Sequence, residues 1–134
     1  MAAQLNHLGL PVTDLDRSVA FYERWTSMTV KDSGESGDIK GARLSDSEGG
    51  FALSLFEMPA ARFPQPQPML AHLGLSCESR EEVDQVAQDA LDEGILLSGP
   101  ADSDDGVGYQ ALILDPDGYT VEFSSGQQFG VAGS

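Results

Sequence analysis

Two near-identical octapeptides, L-N-H-L-G-L-P-V at 5–12 and L-A-H-L-G-L-S-C at 70–77, stand 65 positions apart and carry the only two histidines of the chain, His7 and His72. Self-similarity at such a spacing is the mark of one supersecondary unit used twice. The same comparison sets L-S-L at 53–55 against V-E-F at 121–123, a shift of 68, so the counterpart of Glu122 in the first copy is Ser54. Any fold proposed for these 134 residues must therefore place two equivalent strands, each carrying one histidine.

The second copy ends in Q-A-L-I-L-D-P-D-G-Y-T-V-E-F-S, residues 110–124, which reads as a β-hairpin. Asp115-Pro116-Asp117-Gly118 supplies the turn: proline sets φ, the aspartates bond to nearby backbone, and glycine takes the left-handed position. A three-residue loop with a bulge pairs Asp115 with Tyr119, Leu114 with Thr120 and Leu112 with Glu122. Glu122 then shares a face with Gln110, Leu112, Leu114 and Thr120, while Ile113, Val121 and Phe123 line the other. A carboxylate on so apolar a strand is either a rim residue or a ligand.

Upstream, Gln4–Val12 reads as a strand with His7 and Gly9 on one face and Leu8, Leu10 and Val12 on the other. A helix follows, started by Thr13-x-x-Asp16 or capped by Asp14, with Leu15, Val19, Tyr22 and Trp25 at helical spacing. Phe21 and Trp25 are expected in the core. Residues 26–50 are rich in Gly, Ser and Asp, with short strands at 28–31 and 39–45 and a turn at 47–50. The strand at 51–57 alternates, putting Ala52, Ser54 and Phe56 on one side, and Glu57 with Leu53 and Leu55 on the other. Glu57 is thus out of step with the Glu122 position and is expected to reach solvent at the strand end.

Residues 58–69 contain four prolines and read as an extended connector between modules 4–57 and 70–124. The second module repeats the plan. Ser79-x-x-Glu82 is a capping box, and Val83, Val86, Ala87, Ala90 and Leu91 form the apolar stripe of a helix stopped by Gly94. Its acidic face, Glu81, Asp84, Asp89, Asp92 and Glu93, is expected in solvent. A strand starts at Ile95–Leu97. The acidic loop 102–108 lacks the twelve-residue pattern ending in Glu that calcium would need, and 125–134 has no periodicity and is expected to fray.

Seven basic against 22 acidic residues give a formal charge of −15, which repels nucleic acid and anionic membranes. The single cysteine, Cys77, forbids an internal disulfide and sits in an apolar run, as a small buried hydrophobe would. No signal sequence or long apolar span is visible, so the expected location is the cytoplasm.

The duplicated H-x-G-L, the F-Y at 21–22 and the ending D-P-D-G-Y-x-x-E-F make the chain resemble the vicinal oxygen chelate superfamily, which holds glyoxalase I, extradiol dioxygenases, fosfomycin-resistance thiol transferases and bleomycin-binding proteins. The resemblance covers residues 4–124. It implies an α+β fold of two tandem βαβββ modules around a concave, incompletely closed mixed-sheet cavity, usually in a homodimer. It also implies one divalent metal ion (Fe²⁺, Mn²⁺, Zn²⁺, Ni²⁺ or Co²⁺) held at four equivalent strand positions, of which this sequence matches three: His7, His72 and Glu122. Two imidazoles and one carboxylate with open positions suit these metals. Ser54 takes the fourth position, where glyoxalase I enzymes carry a second acid for proton transfer. Phosphonate-binding relatives carry basic side chains and a tyrosine that the second module lacks, since Leu112 replaces the tyrosine and no Lys or Arg follows Arg80. The expected activity is that of a lyase, isomerase, dioxygenase or thiol transferase on a small organic substrate that chelates the metal through vicinal oxygens. Ser54, Phe56, Gln110, Leu112 and Leu114 are the candidates for its cavity. The alternative is a metal-free protein that sequesters a drug.

Overall fold

The computed structural model describes residues 3–46, 50–59, 72–103 and 108–126. The chain divides into two compact units, Met1–Pro66 and Gln67–Ser134, and both follow one plan. In the first, β1 (His7–Val12), α1 (Leu15–Trp25), β2 (Thr29–Ser36), β3 (Ile39–Ser45) and β4 (Ala52–Glu57) form a four-stranded sheet in the order β1-β4-β3-β2. In the second, β5 (His72–Ser76), α2 (Arg80–Asp92), β6 (Leu96–Asp102), β7 (Tyr109–Leu114) and β8 (Thr120–Ser125) form the order β5-β8-β7-β6. The first strand of each unit runs parallel to the last, and the other pairs are antiparallel. These are two tandem βαβββ modules with open mixed sheets, an α+β fold.

Strand parity sorts each sheet into two faces. Ala42, Leu44, Leu53 and Leu55 are buried with Leu15, Ser18 and Tyr22 of α1. In the second unit Ala111, Ile113, Val121 and Phe123 are buried with Val83, Ala87 and Ala90 of α2. Each of the larger apolar side chains contributes about 1.5–3 kcal/mol by leaving water. The opposite faces carry His7, Gly9, Ser54 and Phe56 in one unit and His72, Gly74, Leu112 and Glu122 in the other.

The hairpin forms as its turn chemistry requires. Leu114 pairs with Thr120 and Leu112 with Glu122, while Asp115 N–H donates to Tyr119 O at 2.9 Å. Asp115 Oδ1 accepts from the N–H groups of Asp117 and Tyr119 at 2.9 and 2.8 Å, and Gly118 has φ +86°. Ser79 Oγ accepts from Glu82 N–H at 3.2 Å. The Glu82 carboxylate returns to Glu78 N–H at 3.2 Å, one residue before the cap. Gly94, at φ +75°, ends α2 in a Schellman motif: its N–H donates to Leu91 O and that of Ile95 to Ala90 O.

Several expectations shift. The first strand begins at His7, not Gln4, and β2 runs on from the expected 28–31 to Ser36. Asp14, not Thr13, caps α1, its Oδ1 accepting from Arg17 N–H at 3.1 Å. The residue nearest the helix N–H groups wins, because a side-chain oxygen reaches only two or three residues ahead. Phe21 and Trp25 are half-buried rather than core; their rings lie 6.0 Å apart, and the Arg24 guanidinium covers Trp25 at 4.5 Å. Leu91 is 59% exposed, since the α2 stripe that meets the sheet is only as wide as Val83, Ala87 and Ala90. Glu57 does not simply reach solvent. Its Oε2 accepts from Leu15 N–H at 2.9 Å, so it meets unpaired donors at the positive end of α1. In the acidic face of α2, Asp84 receives the hydroxyl of Tyr109. The turn at 47–49, residues 60–69 of the connector, residues 104–107 of the acidic loop and the tail from 127 lie outside the described residues. Of the segment expected to fray, Ser125 still belongs to β8.

Candidate metal centre

In the second unit, Gly74 on β5 stands opposite Glu122 on β8, and His72 opposite Thr120. Residues two apart on a strand share a face, so His72 and Glu122 are diagonal neighbours. His72 Nε2 lies 3.1 Å from Glu122 Oε2. The Glu122 side chain is 7% exposed and that of His72 44%: a buried carboxylate has one half-exposed imidazole at its edge. Gln110, Leu112, Leu114 and Thr120 are half-buried on the same face.

The first unit repeats the register. Gly9 stands opposite Ser54 and His7 opposite Ala52, which puts Ser54 at the structural counterpart of Glu122, and His7 at that of His72. His7 is exposed, and its Nδ1 lies 2.6 Å from Asn6 Oδ1. A metal-binding imidazole typically makes such an outer hydrogen bond through one ring nitrogen and binds the ion through the other. Phe56 lies on the same face, two residues on from Ser54.

The donor set fits a divalent ion. Ligand atoms about 2.1 Å from a metal and at right angles to one another are about 3.0 Å apart, close to the observed His72–Glu122 separation. The same distance serves a hydrogen bond between Nε2–H and the carboxylate, so the separation suits either arrangement. Among the described residues, no group of three or more His, Cys, Asp or Glu side chains is gathered for a metal. The structure brings His72 and Glu122 together, and His7 belongs to the other unit.

Sequence reading passed over Arg43 on the open face of the first unit. It pairs with Ser54 across β3–β4 and with Asp32 across β2–β3. The signal was present: laid on the second module, Arg43 falls at Leu112, a shift of 69. Cys77 follows β5 and packs on the Val83–Ala87–Ala111 cluster. Burial, and then the Glu82 carboxylate, push its thiol up to about 11. It is therefore a protonated packing residue at neutral pH.

The family model of the glyoxalase/bleomycin resistance protein/dioxygenase superfamily matches residues 4–123. The chain belongs to this superfamily. An uncharacterized protein of Pseudomonas aeruginosa is 35% identical to this superfamily member over 136 residues, which span 97% of this chain and 94% of the relative. A variant of the fosfomycin resistance protein FosX from Listeria monocytogenes, solved with Mn(II) and a dihydroxypropylphosphonic acid, shares the fold with a TM-score of 0.74, at 19% identity over 94% of each chain. TnmS3, an antibiotic-binding protein from Streptomyces, matches with a TM-score of 0.69 at 19% identity over 93% of this chain and 97% of its own. The fold is thus shared with proteins named for resistance and for antibiotic binding, and these likenesses carry the fold alone.

Proposed function

We propose that this chain is a divalent-metal-dependent enzyme in which His7, His72 and Glu122 hold the ion and a small organic substrate reaches it through two vicinal oxygens. The observation that carries this reading is the pairing of a nearly buried Glu122 carboxylate with His72 Nε2 at 3.1 Å, at the strand position that the repeat makes equivalent to Ser54. A carboxylate so placed is costly unless compensated, and a metal with two imidazoles compensates it better than one neutral imidazole. When bound, the ion supplies Lewis acidity to the substrate oxygens.

The chain's own residues do the rest. Glu122 brings the negative charge, and His7 and His72 bring neutral nitrogen donors. Ser54, too short and too weakly basic to replace a carboxylate, leaves coordination sites to the substrate and offers a hydroxyl that donates to a substrate oxygen. Phe56, Leu112 and Leu114 limit water, and Gln110 provides an amide at the edge of that apolar surface. Without a second acid at Ser54, the proton-transfer chemistry of glyoxalase I is disfavoured. Dioxygenase and thiol-transfer chemistry needs no proton shuttle at that position.

Elemental analysis of protein purified without chelators, with Fe(II) loaded under anaerobic conditions, tests the reading. The expected result is one divalent ion per chain, lost in His72→Ala. Wild-type protein that takes up no divalent ion, yet binds hydrophobic drugs, would be a sequestering protein instead.

A further inference from the structure

We propose that Arg43 is a substrate-binding residue that selects molecules carrying a carboxylate remote from the two oxygens offered to the metal, an inference that rests on the metal-chelating function above. The two sheets share a row of four cross-strand positions. In the second unit the row is Ser98, Leu112, Glu122 and Gly74. In the first it is Asp32, Arg43, Ser54 and Gly9. The correspondence extends to the edge strands, where the register slips just before the row in both, between Val30 and Asp32 and between Leu96 and Ser98. Between the rows an acid is replaced by a hydroxyl, and an apolar side chain by a guanidinium.

Cross-strand neighbours stand about 5 Å apart at Cβ, so an acid at position 54 would reach Arg43 and take up the guanidinium donors that remain. Ser54 does not. The counterion is Asp32, whose Oδ1 and Oδ2 accept from Nε and Nη2 of Arg43 at 3.3 and 2.9 Å. Both side chains are more than half exposed, 55% for Arg43 and 58% for Asp32. An exposed pair of this kind adds little to stability, so the fold does not depend on it. The pair holds the guanidinium plane and occupies two of its five N–H donors, which leaves three for a ligand. Beyond Ser54 the row ends in Gly9, where an added Cβ would meet only the Phe56 ring, at an ordinary 3.5 Å. Packing does not demand that glycine. The three N–H donors that the Asp32 pair leaves, on a guanidinium held in place beside the neutral Ser54 hydroxyl, are suited to accept a ligand carboxylate.

Calorimetric titration of Mn(II)-loaded protein with 2-oxoglutarate and 2-oxovalerate tests this. The two probes share the 2-oxo acid head, and only the first carries a second carboxylate. Wild-type protein is expected to bind 2-oxoglutarate about tenfold more tightly. Arg43→Gln is expected to erase that preference and leave 2-oxovalerate affinity unchanged. Asp32→Asn, which breaks the ion pair but keeps the guanidinium, is expected to retain it. Absence of the preference in wild type, or its loss in Asp32→Asn to the same extent as in Arg43→Gln, overturns the proposal. If the protein takes up no Mn(II), the metal function fails on its own account. The same titrations of metal-free protein then decide Arg43: a preference that Arg43→Gln removes upholds it, and equal binding or none overturns it.

Discussion

Glu122, on a strand whose flanking residues Val121 and Phe123 are buried, has to have its charge matched inside the second unit or by an ion. His72 Nε2 meets the carboxylate at 3.1 Å and is proposed to share in holding an ion that supplies the positive charge. His72→Ala is accordingly expected to abolish metal binding, as read by elemental analysis. Glu57→Ala should leave the metal in place and lower stability by about 1 kcal/mol through loss of the Leu15 N–H bond, measured by urea unfolding. If Glu57→Ala instead removed the metal, the strand register assigned to the ligands would be wrong. Ser54→Glu restores the acid at the fourth position and should tighten metal binding in a chelator competition assay, while closing a coordination site and slowing turnover. Unchanged affinity would mean that Ser54 does not face the ion. For Cys77, a thiol raised from 9.0 to about 11 carries about a hundredfold less thiolate at pH 8 than an unperturbed one. Burial disfavours the charged form, so alkylation by iodoacetamide should be slow at pH 8 and accelerate up to about pH 11.

At the scale of single elements, the β7–β8 hairpin sets the height of Glu122, because its register runs from the turn. Asp115 is 5% exposed and takes two backbone N–H groups on one oxygen. Asp115→Ala leaves both donors unmatched and should cost about 2 kcal/mol, seen as a lower denaturation midpoint. If metal affinity fell with it, the hairpin would be shown to align the ligand as well as to stabilise the sheet. The helices play a different part: each covers one face of its sheet and thereby leaves the other to chemistry. In α1 the N-terminus is satisfied twice over, by the N-cap Asp14 and by Glu57 from the end of β4, which ties the helix to the strand that carries Ser54.

For the whole molecule, each sheet ends in edge strands that pair on one side only within their own sheet, and β2 is exposed along its length. Exposed edges need covering, and we expect a homodimer. Sedimentation equilibrium should give twice the chain mass, and a monomer at high micromolar concentration would count against it. No helix among the described residues is long and apolar enough to cross a membrane.

Much of this was legible before any coordinates, because local chemistry dictated it. The D-P-D-G turn has few backbone solutions, so the pairing of Leu112 with Glu122 follows from four residues. Period-two alternation assigns faces, and the repeated H-x-G-L sets His7 and His72 in equivalent places without reference to neighbours. What tertiary structure decided were matters of distance between segments remote in sequence. Glu57 turns from a strand-end acid into a helix ligand only because β4 ends beside Leu15, 42 positions away. Phe21 and Trp25 stay half-exposed because the buried stripe of α1 is no wider than Leu15, Ser18 and Tyr22. Arg43 becomes a neighbour of Ser54 only when β3 pairs with β4, since a charged residue in a polar stretch carries no mark of the face it will join.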